Sequence, residues 1–138
     1  MEKLTLKIGS KQIYETHEDG YEQEVEATIG ERSGSFYILF DQKDEASGLS
    51  TNNMIKIKEG KIEVRRKGAL TTKLVFDEEK PYQTEYETEY GMMDLKIITK
   101  EISCQILQKD VNLKIKYEIL MHGKKISDNI YFIESKNR

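Results

Sequence analysis

The chain has 138 residues, 37% of them hydrophobic and 34% charged, with a net charge of −3 and a single cysteine, Cys104. That length suits one domain, 1–138, able to bury about two-thirds of its unfolded surface without covalent staples. One cysteine excludes an intrachain disulfide and a cysteine-based structural zinc site, and the mild negative charge gives no general attraction to nucleic acid or an anionic membrane.

The opening segment "MEKLTLKIGSKQIYE" has neither the continuous apolar run nor the small-residue cleavage site of a signal peptide. The longest apolar run, "FYILF" at 36–40, is far short of the roughly 20 residues that span a bilayer. The expectation is a soluble, cytoplasmic protein with no membrane partner.

Period-two alternation dominates the rest. Leu4, Leu6 and Ile8 share one face of the first strand, over 3–16. The apolar phase then flips to Ile13, which predicts a bulge or bend near Gly9-Ser10. At 21–30, Val25, Ala27 and Ile29 oppose Glu22, Glu24 and Glu26. Further strands are predicted over 35–41, 52–58, 61–67, 70–77, 82–90, 92–106, 111–121 and 125–134. Only 40–53 breaks the rhythm, with room for one short helical turn. Strands with one apolar and one wet face belong to antiparallel sheets. Turn signals such as "RSG", "EGK" and "HGK" join them through short hairpins in succession. The predicted fold is therefore all-β: a closed or nearly closed antiparallel up-and-down barrel of eight to ten strands, wide enough for side chains or one small ligand.

Parity separates the adjacent arginines of "KIEVRRK". Arg66 shares the face of Ile62 and Val64, so it points inward, and Arg65 points to solvent. On the neighbouring strands Thr72, Leu74 and Phe76, then Tyr82, Thr84, Tyr86, Thr88 and Tyr90, then Leu95, Ile97 and Thr99, take the inner face, with Asp77 outside. This lining is wetter than a packing core. An inward guanidinium needs acceptors, and two readings of it stay open. Arg66, with Tyr82, Tyr86, Thr88, Tyr90 and Thr99, would anchor a carboxylate or phosphate head while aliphatic residues hold its tail. Alternatively, Arg66 caps the barrel rim with bonds to main-chain carbonyls.

Other constellations carry less. Lys56, Lys58, Lys61, Arg65, Lys67 and Lys73 form a basic outer stripe, but the acidic stripe Glu85, Glu87 and Glu89 reads as its cross-strand counterpart, so no nucleic-acid partner is expected. His17 and His122 are not at ligand spacing, and neither a metal nor another cofactor is expected. No G-x-S-x-G, P-loop or G-x-G-x-x-G motif occurs, so enzymatic activity is not favoured. Cys104 reads as a small buried hydrophobe. Apolar residues on both faces of "SFYILF" and of 130–133 call for cover by a terminal segment, the 42–53 loop or a second subunit. A monomer and a homodimer are both compatible.

The stretch "EGKIEVRRKGALTTKLVF … TEYETEYGMMDLKIITKEI" resembles the YwiB-like proteins, a bacterial family of uncharacterised small domains. The shared pattern comprises the "EGKIEV" hairpin entry, Arg66 before Gly68, Phe76 closing the next strand, then Tyr86, Gly91, Leu95 and Thr99. Glu79 and then Lys80-Pro81 stand where the family often has a glycine. The resemblance implies a calycin-like barrel, the class of lipocalins and fatty-acid-binding proteins, and brings no catalytic residues. The expected function is non-enzymatic binding of a small, partly apolar ligand, anionic where Arg66 anchors it. The alternative is a structural or protein-interaction module with a filled barrel. An interior void of about 300 Å³ or more would favour the first.

Overall fold

The computed structural model describes residues 2–43, 47–68, 71–88, 91–107 and 110–136, with only the backbone described for 86–88. Ten strands follow in order: β1 Glu2–Ile13, β2 Glu18–Arg32, β3 Ser35–Lys43, β4 Ser50–Lys58, β5 Lys61–Lys67, β6 Thr71–Phe76, β7 Tyr82–Thr88, β8 Gly91–Leu107, β9 Asp110–Met121 and β10 Lys124–Ser135. No helix occurs among the described residues, and so none long and apolar enough to cross a membrane. The helical turn expected within 40–53 falls partly on 44–46, outside the described residues.

All ten strands belong to one antiparallel sheet, ordered β6-β5-β4-β3-β2-β1-β10-β9-β8-β7. Every consecutive pair is a hydrogen-bonded hairpin except β6 and β7, and the first and last strands pair with each other. The sheet thus curls into a nearly closed barrel whose single unpaired seam lies between β6 and β7. Short connections make this meander possible. The pairs Ser33-Gly34, Glu59-Gly60 and His122-Gly123 all have positive φ, the signature of two-residue hairpin turns that match the strand twist.

Inward alternation builds the core. Leu6 and Ile8 on β1, Ile38 on β3, Ile55 on β4, Ile62 on β5 and Ile115 on β9 are completely buried. Each such side chain contributes about 1.5–3 kcal/mol over leaving it exposed.

The register departs from the sequence pattern in three places. The expected bulge at Gly9-Ser10 is absent, because β1 pairs with β2 and β10 without a shift. Gly9 instead sits opposite Phe132, whose ring lies 2.2 Å from where a Cβ would be. The glycine makes room for an aromatic cover, and Ile13, still in register with Glu18 and Asp128, lies on the face opposite Leu6 and Ile8. The real irregularities lie between Thr99 and Glu101 on β8 and between Lys125 and Ser127 on β10. The β8 shift falls just before Cys104, which is exposed rather than buried as expected; partial burial still raises its thiol pKa.

The two-sided strands find part of their cover within the sheet. Phe132 lies over Gly9, Leu39 pairs with Met54, and Tyr37 sits between Gly30 and Lys56.

Candidate functional site

The seam is fastened at one end. The turn after β6 is tied to β8 by the Asp77 amide donating to Thr99 Oγ1 at 3.2 Å, and by the Ile102 amide donating to Glu78 Oε2 at 2.7 Å. Asp77 also accepts from the Glu79 amide at 2.9 Å, and Lys61 Nζ lies 3.9 Å away. Asp77 is therefore buried, not outward-facing as alternation predicted. β6 ends at Phe76, and beyond the ladder parity no longer governs direction.

Away from this fastening the unpaired edges of β6 and β7 flank a cavity of about 510 Å³. Val64, Leu74, Leu95, Ile119, Met121 and Ile126 give it apolar walls. Thr71, Thr72 and Lys73 from β6, Thr84 and Glu85 from β7, and Ser127 and Tyr14 add polar atoms. Arg66 is the one arginine on the wall.

Parity placed the two arginines correctly. Arg65 is exposed and bonds Glu63, which also faces Lys73 at 3.9 Å. Arg66 is half-buried, pairs across the ladder with Asn53 and Thr72, and has no carboxylate partner among the described residues. Its Nε is buried without an acceptor, and Asn53 Oδ1 and the Tyr131 hydroxyl are likewise buried and unsatisfied. The guanidinium lies near enough to Tyr131 to act on its ionisation, yet the two make no hydrogen bond of full geometry. Burial pushes the Tyr131 hydroxyl far above the ordinary tyrosine range and that of Tyr117 up to about 12, with Arg66 opposing both shifts. Both phenols therefore stay protonated, as neutral donors, throughout the ordinary pH range.

The remaining interior polar groups are engaged in the scaffold. Asn129 Nδ2 donates to the Tyr117 carbonyl and to Ser127 Oγ, and Gln12 Nε2 donates to Ser10 Oγ. Against this background the three unsatisfied atoms around Arg66 stand apart, since a buried polar group without a partner is costly.

The residues expected to form a site do not all converge. Arg66 lines the cavity. Tyr82 packs against the core instead of the cavity. Thr99 lies at the fastened end, where its hydroxyl accepts from Asp77. Tyr86 and Thr88 belong to β7 by their backbone, but their side chains fall outside the described residues, as does all of Tyr90. Pattern reading ran the first strand through Tyr14, but β1 ends at Ile13; Tyr14 lies in the turn that follows and stacks on His17 at 4.6 Å. It also missed Asn53, and Tyr131, which lies in the segment read as apolar on both faces; both are buried. Among the described residues no group of three or more His, Cys, Asp or Glu could hold a metal ion.

Ten antiparallel strands wrapped around a cavity, with one unzipped seam, define a nearly closed β-barrel. Over residues 6–133 the chain matches a family described as a domain of unknown function (DUF1934), and it belongs to that family. The crystal structure of the ywiB protein from Bacillus subtilis is similar, with a TM-score of 0.73 and 18% identity, covering 98% of this chain and 94% of that one. At that identity the likeness shows the fold. No curated protein matches the chain.

Proposed function

We propose that the protein binds a small, partly apolar, anionic ligand inside the barrel and catalyses no reaction on it, in the manner of a calycin-type carrier or sensor. One observation carries this reading: a cavity of about 510 Å³ with aliphatic walls and a guanidinium that has no carboxylate partner among the described residues. The volume lies within the range of ligand pockets, about 300–1,000 Å³. A filled barrel serving only as an interaction module would hold no such void. Desolvating an unpaired cation is costly, and a bound anion would recover that cost through charge-assisted hydrogen bonds. The unpaired β6–β7 seam borders the cavity and is the natural way in. The lone, exposed cysteine fits a reducing compartment such as the cytoplasm.

The reading is tested with 1-anilinonaphthalene-8-sulfonate, an apolar anion that fluoresces out of water. The folded wild type should bind it at one site, and Ile119→Trp, which fills the cavity, should abolish that site while remaining folded. Equal dye binding by the two proteins would place the dye elsewhere and count against the cavity.

A further inference from the structure

Resting on that reading, the charges around the cavity narrow the ligand's head group. Among the described residues two cations reach the wall, Arg66 and Lys73. Lys73 is about half exposed and lies 3.9 Å from Glu63 on the outer face, so its charge is hydrated and engaged outside. Arg66 is different: Asn53 and Thr72 sit across the ladder from it, and the phenols of Tyr131 and Tyr117 lie near enough to feel its charge, so the groups around it are neutral. A protonated phenol can donate a hydrogen bond but cannot balance a second negative charge. Glu85, on the same wall, is exposed like Lys73, so its charge is likewise hydrated and weighs little in the count. Among the described residues the site therefore offers one cation without a carboxylate partner, a planar fork of donors, and neutral polar groups beside it.

A carboxylate matches that count with one charge and two oxygens, the geometry a guanidinium meets in bidentate fashion. A phosphate monoester carries about −1.5 to −2 near pH 7. Seated on Arg66 alone, it would leave a net negative charge against aliphatic walls, which is disfavoured. We propose that the cavity selects a monocarboxylic acid with an apolar body, its carboxylate seated on the Arg66 guanidinium, over a phosphate monoester with the same body.

The test is calorimetric titration of the full chain at pH 7.5 with three probes sharing one tail: dodecanoate, dodecyl phosphate and dodecanol, each kept below its micellar concentration. Dodecanoate should bind one to one and at least about tenfold more tightly than either other probe, a gap of about 1.4 kcal/mol. Dodecyl phosphate should tighten at pH 5, where it carries a single charge. Dodecyl phosphate binding as tightly as dodecanoate in the wild type would overturn the head-group selection and leave the anion-binding reading standing. Dodecanol binding as tightly as dodecanoate, or no probe binding at all, would overturn both.

Discussion

Replacing Arg66 with methionine should separate binding from stability. The guanidinium is half-buried, its Nε is shielded without an acceptor, and no described carboxylate offsets its charge. Its partial desolvation is therefore offset by no carboxylate among the described residues. Exchange of buried charges for apolar groups of similar volume is often neutral or stabilising, by about 1–4 kcal/mol. The partial exposure of Arg66 puts the expected gain at roughly 0–2 kcal/mol on the same scale. Binding should move the other way. Removing one partner of a buried, hydrogen-bonded charge pair costs about 2–5 kcal/mol, so affinity for an apolar acid should fall by roughly 30-fold or more. Urea denaturation gives the first quantity, and calorimetric titration with dodecanoate gives the second. A stability loss beyond about 2 kcal/mol with unchanged affinity would mean that Arg66 is a structural cap, and the reasoning would fail.

Further outcomes follow from the same geometry. Arg65→Ala removes an exposed residue bonded to Glu63; it should change stability by less than about 1 kcal/mol and leave dodecanoate affinity unchanged, whereas a large effect on binding would show the parity assignment to be reversed. Thr99→Val leaves the buried Asp77 amide without its acceptor, at a cost of about 1–3 kcal/mol, and should alter ligand affinity little; an affinity loss matching that of Arg66→Met would put Thr99 in the site. The phenol of Tyr117, raised to about 12, and that of Tyr131, also raised, ionise more readily in the unfolded chain, whose tyrosines titrate near 10. Their contribution is complete below about pH 10 and is lost above it, at about 1.4 kcal/mol per pH unit for each group up to its folded pKa. Denaturation curves between pH 8 and 11 should show that decline, and Tyr117→Phe should remove one group's share of the slope. Amides on the unpaired edges of β6 and β7 should exchange with deuterium well before those of β1 and β10, which are paired on both sides; uniform protection would mean that the seam is zipped in solution.

Alternation carried most of the fold because each strand has one buried and one wet face, and a period of two is visible without any partner. It placed the strands and told Arg66 from Arg65. It predicted a closed or nearly closed barrel but not where the opening lies: the β6–β7 segment has a turn and matching parity like the other hairpins, yet it is the one left unpaired. Which ladder opens depends on how ten strands share curvature around the barrel, a property of no local stretch. The β8 irregularity near Lys100 was hidden for a related reason. "ITKEISC" alternates acceptably in either phase, so the exposure of Cys104 could not be foreseen. The candidate site was legible only in part. The inward Tyr and Thr row is real as a pattern, but Thr99 is taken up by the fastening of the seam and Tyr82 by core packing. Of the groups around Arg66, Asn53 lies on the neighbouring β4, but Tyr117 and Tyr131 come from β9 and β10, strands that meet it only across the barrel.

The central claim is that the barrel holds an apolar acid on Arg66, and native mass spectrometry of the protein isolated from its own cells tests it most directly. The account predicts a one-to-one adduct that releases a small carboxylic acid on denaturation and disappears from Arg66→Met prepared identically. A bare chain in both proteins, or an adduct retained undiminished by Arg66→Met, would contradict it.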